Sequence, residues 1–150
     1  MEQSTHRDWE ERVSDTQPMT NSVDANAVRI LIVDDDVLVR AFISDILRDE
    51  GYTVVEAINA DEALAVIRCP LKVDLVLTDM RMPGSMSGAE LVRVLRTEAP
   101  FVKVVMIAGQ QPDDEVRELL DGFLSKPVTR PQLTRCVRTV LPARTGAGST

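Results

Sequence analysis

Between Arg29 and Leu141 the chain alternates five times between a short apolar run and an amphipathic stretch. Few architectures accept that order. Runs of strand length that are apolar on both faces suit a parallel sheet covered by helices on both sides. The expected strands are Arg29–Val33, Thr53–Glu56, Asp74–Thr78, Lys103–Ile107 and Phe123–Ser125. Residues 37–50 read as a helix with Phe42, Ile43, Ile46 and Leu47 on one face, stopped at Gly51. Asn59-Ala-Asp-Glu62 and Ser87-Gly-Ala-Glu90 read as capping boxes that open the second and third helices. A short helix is expected over Pro112–Leu120, and a last one over residues 129–141 with Leu133, Val137, Val140 and Leu141 on one face.

Charge and composition exclude several classes of function. The chain has 150 residues, 44% hydrophobic and 27% charged, with a formal net charge of −7, which argues against nucleic acid as a partner. No apolar run approaches the roughly 20 residues needed to span a bilayer, so no membrane role is expected. The N-terminus lacks the basic and apolar regions of a signal peptide. Cys69 and Cys136 lie far apart without metal-type spacing and read as ordinary packed thiols, which suits a cytoplasmic protein. Residues 1–27 read as a disordered acidic tail, residues 28–141 as one folded domain and residues 142–150 as a flexible end.

The polar residues at the strand ends are not needed for a core. The first strand, Ile30-Leu-Ile-Val33, runs into Asp34, Asp35 and Asp36. The third ends on Asp79, and the fifth delivers Lys126 followed by Pro127. Singly, each aspartate reads as a helix-capping acid and the lysine as a surface charge. Together, on one edge of a parallel sheet, they make a site for a hard divalent cation and a phosphate, with one carboxylate left to act as a nucleophile. Asp36 directly precedes a helix and reads as its N-cap.

With Ile30-Leu-Ile-Val-Asp34-Asp35, Asp79-Met-Arg-Met-Pro83-Gly-Ser-Met-Ser-Gly88 and Lys126-Pro127 in that order, the chain resembles the receiver domain of two-component response regulators over about residues 28–141. The resemblance implies a flavodoxin-like (βα)5 fold, a doubly wound five-stranded parallel sheet. It implies Asp79 as phospho-acceptor and Lys126 as the contact to the phosphoryl group. Mg²⁺ would be held by Asp34, Asp35, Asp79 and the backbone carbonyl of Arg81. A sensor histidine kinase or a histidine phosphotransfer protein would be the donor. A cis Lys126–Pro127 bond, and a loop after Asp79 turned at Gly84 and Gly88, follow from the same likeness.

Two positions depart from the family pattern. Ala108 fills the switch slot at the end of the fourth strand, where a Thr or Ser hydroxyl is usual, and Phe123 fills the aromatic switch position without a hydroxyl. The stretch between them is about one turn shorter than the family norm, which implies a shortened fourth helix. Arg81 and Gln110 hold the two positions that tune phosphoryl lifetime, and a bulky cation at Arg81 predicts slow hydrolysis. The leading expectation is a stand-alone single-domain response regulator, with output by protein–protein contact or as a phosphorelay intermediate or sink. The alternative is a receiver-fold interaction module that does not switch, because of Ala108. A Mg²⁺-dependent phosphatase is disfavoured, since no second acid follows Asp79 closely and no capping element is present.

Overall fold

The computed structural model describes residues 27–142. The expectations for residues 1–26 and 143–150 lie outside the described residues. The elements run β1 (Arg29–Val33), α1 (Val37–Asp49), β2 (Thr53–Ala57), α2 (Ala60–Arg68), β3 (Leu75–Asp79), α3 (Gly88–Glu98), β4 (Lys103–Ala108), α4 (Asp114–Glu118), β5 (Gly122–Ser125) and α5 (Arg130–Val140). One parallel sheet has the order β2-β1-β3-β4-β5. This is the expected doubly wound α/β fold.

The period of two along each strand divides the core between the two faces of the sheet. Leu31, Val33, Val76, Val104 and Met106 face α2, α3 and α4 through Leu64, Leu91, Leu95 and Val116. Ile30, Ile32, Leu75, Leu77, Val105 and Ile107 face α1 and α5 through Ile43, Ile46, Leu47, Leu133 and Val137. Each of these buried aliphatic side chains contributes roughly 1.5–3 kcal/mol of transfer free energy. Among the described residues no helix is long and apolar enough to cross a membrane.

Several boundaries differ from the sequence reading. β3 starts and ends one residue later than expected, because Asp79 still pairs with Ile107 of β4. β2 extends to Ala57 and β4 to Ala108. Phe42 does not join the buried face of α1. It is 47% exposed, since the buried stripe of α1 centres on Ile43, Ile46 and Leu47 and Phe42 falls about a quarter-turn to the side. The box at α2 is displaced: the Asn59 side chain accepts from the Glu62 amide, but Glu62 accepts from the Ile58 amide rather than that of Asn59. The box at α3 is reciprocal as expected. A third box, Thr129 with Gln132, opens α5 and was not anticipated.

The fourth helix is shorter than the expected Pro112–Leu120. Asp113 caps it by accepting from the Val116 amide. At the other end Arg96 of α3 donates to the carbonyls of Leu119 (2.7 Å) and Val102 (3.0 Å) and to Asp121 (2.6 Å). An arginine thus satisfies the Leu119 carbonyl, which a longer helix would have bonded internally.

Candidate functional site

The sheet order reverses direction at β1 and β3, so the crevice of a doubly wound fold opens above their C-terminal ends. Asp34 and Asp35 follow β1, and Asp79 is the last residue of β3. Their carboxylate oxygens lie within 4.8 Å of one another. Lys126, just past β5, completes the group, with Nζ 3.3 Å from Asp79 and 3.6 Å from Asp34. Its amide donates to the Ala108 carbonyl at 2.9 Å, which ties the β5 end to the β4 end. The Lys126–Pro127 peptide is cis.

The β1–α1 turn is held by several independent bonds. Asp36 is the N-cap of α1 and accepts from the amides of Leu38 (2.9 Å) and Val39 (3.2 Å). The Asp36 amide donates to the Asp34 carboxylate at 2.8 Å. Arg40 donates to the Asp34 carbonyl at 2.8 Å and to Glu56 of β2 at 2.9 Å. Arg40 and Thr78, whose buried hydroxyl donates to the Asp79 carbonyl at 2.9 Å, were missed by the sequence reading. Thr78 had a visible signal, a hydroxyl in the otherwise apolar run that precedes Asp79. Arg40 had none, because a charge on an amphipathic helix is ordinary.

The electrostatics are those of crowded acid. Asp34 is only 3% exposed. Burial pushes its carboxyl above the usual range, and repulsion from Asp79 and Asp35 adds to this, against the opposing Asp36 amide and Lys126. Burial alone would lower the Lys126 ammonium, but Asp34 and Asp79 outweigh it and hold the group above its usual value. Three hard oxygen donors crowded about one lysine fit a small divalent cation, with Asp34, Asp35 and Asp79 as the groups able to hold it.

The loop after Asp79 approaches its own strand closely. A Cβ at Gly88 would lie 2.0 Å from the Asp79 carbonyl oxygen, so position 88 accepts only glycine. Gly84 has φ +115° and supplies the turn. Beside Asp79 a pocket of about 340 Å³ is lined by Met80 and Arg81 from the β3 end, Ala108, Gly109 and Gln110 from the β4 end, and Lys126. Arg81 donates across it to the Gln110 side chain at 3.2 Å. Ala108 is 2% exposed and presents only a methyl group. The structure therefore brings Asp34, Asp35, Asp79 and Lys126 together and sets Arg81, Ala108 and Gln110 next to them. Phe123 stands apart, half-buried against the apolar cluster of Met106 and Val116.

A family model described as response regulator receiver domain matches residues 30–138. A response regulator receiver protein of Anaeromyxobacter sp. strain Fw109-5 is 43% identical over 109 residues, covering 70% of this chain and 45% of that protein. The chain spans about half the length of the curated relatives it matches. The crystal structure of a receiver domain protein from Methanospirillum hungatei JF-1 is similar at TM-score 0.69 and 32% identity, covering 76% of this chain and 93% of that one. The response regulator TrrA of Thermotoga maritima, solved in complex with Mg²⁺ and BeF, is similar at TM-score 0.70 and 29% identity, covering 76% and 99%.

Proposed function

The chain belongs to the response regulator receiver domain family, and from that premise we propose that Asp79 accepts a phosphoryl group from a phosphohistidine of a sensor histidine kinase or a phosphotransfer protein. The observation that carries this reading is the convergence of Asp79, Lys126, Asp34 and Asp35 at the switch point of the sheet. An Asp79 carboxylate oxygen attacks phosphorus. The P–N bond to the donor imidazole breaks and its electron pair stays on nitrogen, so a donor ring already protonated on its other nitrogen leaves as neutral imidazole. Lys126 faces both Asp79 and Asp34, so its charge is in place to offset negative charge on the phosphoryl oxygens. Mg²⁺, held by Asp34, Asp35, Asp79 and the Arg81 carbonyl, would supply charge neutralisation to the same oxygens. The Mg²⁺ in the similar TrrA complex supports this assignment.

The donor must contact surface that borders Asp79. An apolar groove of about 460 Å³, lined by Leu38, Phe42, Ile43, Pro127 and Val128, shares Lys126 with the acidic pocket and offers that surface. Leu38 is 78% exposed there. Output through protein–protein contact suits a chain of net charge −7, and two free cysteines suit the cytoplasm.

Incubating the protein with Mg²⁺ and a small acyl phosphate should yield a base-labile phosphoprotein, and Asp79→Asn should abolish it. Undiminished labelling of Asp79→Asn would reject the assignment. The buried methyl of Ala108 favours a second reading, a receiver-fold module that does not switch. Beryllofluoride with Mg²⁺ separates the two, because a non-switching module shows no amide shifts beyond the immediate site.

A further inference from the structure

The pocket beside Asp79 has two cationic side chains among its lining residues, Lys126 and Arg81. They are differently engaged. Lys126 is already shared between Asp34 and Asp79, at 3.6 and 3.3 Å. Arg81 is exposed, and its contact across the pocket is with a neutral amide, the Gln110 side chain, at 3.2 Å. That distance is at the long end for an N–H···O bond, and a phosphoryl group offers the guanidinium anionic oxygens in a bidentate geometry that a neutral amide cannot match. A phosphoryl group on Asp79 would place roughly two negative charges in this pocket. Ala108 offers it no side-chain donor, so the uncommitted cation is Arg81.

We propose that Arg81 is the phosphoryl sensor of this chain: on phosphorylation of Asp79 its guanidinium leaves Gln110 for the phosphoryl oxygens and thereby frees the β4–α4 link. The inference rests on Asp79 being the acceptor and adds how occupancy is read. Gln110 lies two residues past β4, and its neighbour Gln111 accepts from Arg117 of α4 at 2.6 Å. Release of Gln110 thus reaches a helix of only five residues. The Arg81–Gln110 bond does the work of a hydroxyl at position 108, with the opposite sense: it breaks on activation instead of forming.

The two ends of the bond should affect ligand binding with opposite signs. The full chain is titrated with beryllofluoride at fixed Mg²⁺, following affinity by calorimetry and the Gln110 side-chain amide by NMR. Arg81→Ala should weaken binding about fivefold to tenfold, since the sensor is lost. Gln110→Ala should tighten it about twofold to threefold, since the tether no longer competes. The double variant should match Arg81→Ala, because the tether matters only through Arg81. Wild-type binding that is unchanged in Arg81→Ala would overturn the sensor and leave the phospho-acceptor reading standing. Weakening in both single variants would make Gln110 a ligand and overturn the release. No binding to the wild type at all would reject the phospho-acceptor reading, and the sensor with it.

Discussion

The two sides of the acidic pocket are built to different standards. On the β1–α1 side, residues 34–40 are pinned by an N-cap, a carboxylate–amide bond and an arginine that spans from the Asp34 carbonyl to Glu56. On the β4–α4 side, the link beyond Ala108 meets the pocket through Arg81 and Gln110 and leads into a single short helix. Under the proposed function, the contrast matches what each side would have to do. Groups that position a cation and a nucleophile must not move. A segment that reports occupancy has to be held by something the ligand can break.

Variants can break or sharpen that contrast. The largest effect is expected at Gly88, which backs Asp79. Gly88→Ala drives a methyl into the Asp79 carbonyl, an impossible 2.0 Å contact with backbone, and should cost about 3 kcal/mol or more in urea unfolding. Asp36→Ala removes a cap that accepts two amides and should cost roughly 1–2 kcal/mol by the same measurement.

Asp34→Asn should act in the other direction. The Asp34 carboxyl is held above its ordinary value of 3.8, first by burial. A carboxyl raised in the folded state contributes stability below its ordinary value and loses it as pH rises through the folded value. In EDTA the variant should therefore melt about 2–5 °C above the wild type at neutral pH. That gap should shrink as pH falls below the ordinary value of 3.8, where Asp34 becomes protonated in both states. A gap that widens on acidification would contradict the assignment. The smallest effect is expected on the β4–α4 side. Gln110→Ala should change unfolding free energy by no more than about 0.5 kcal/mol, because its bond is exposed. A loss comparable to that of Asp36→Ala would erase the contrast.

Much of this was readable in the chain. The five apolar runs gave the parallel sheet, and Asp34, Asp35, Asp79 and Lys126 stood out because acids and a lysine at strand ends serve no core. Asp36 announced itself as a cap by preceding a helix. Arg40 and Arg96 were not readable, since each bonds backbone outside its own helix, at positions set by how the elements pack; the partner of Glu62 is local but shifted by one residue within the turn that opens α2. Phe42 was misplaced for a related reason. Its spacing admits it to the apolar stripe of α1, but the orientation of the helix on the sheet excludes it.

Local pattern by itself determined which segments are strands and helices, and which strand ends carry charge, because periodicity and abrupt polar breaks are properties of neighbouring residues. The order β2-β1-β3-β4-β5 was decided only in the tertiary structure, and with it the meeting of the Asp34, Asp35 and Asp79 carboxylates within 4.8 Å. The bond that carries Arg81 to Gln110 was decided there too. Those contacts join residues tens of positions apart, and their distances follow from how whole elements pack rather than from any local preference.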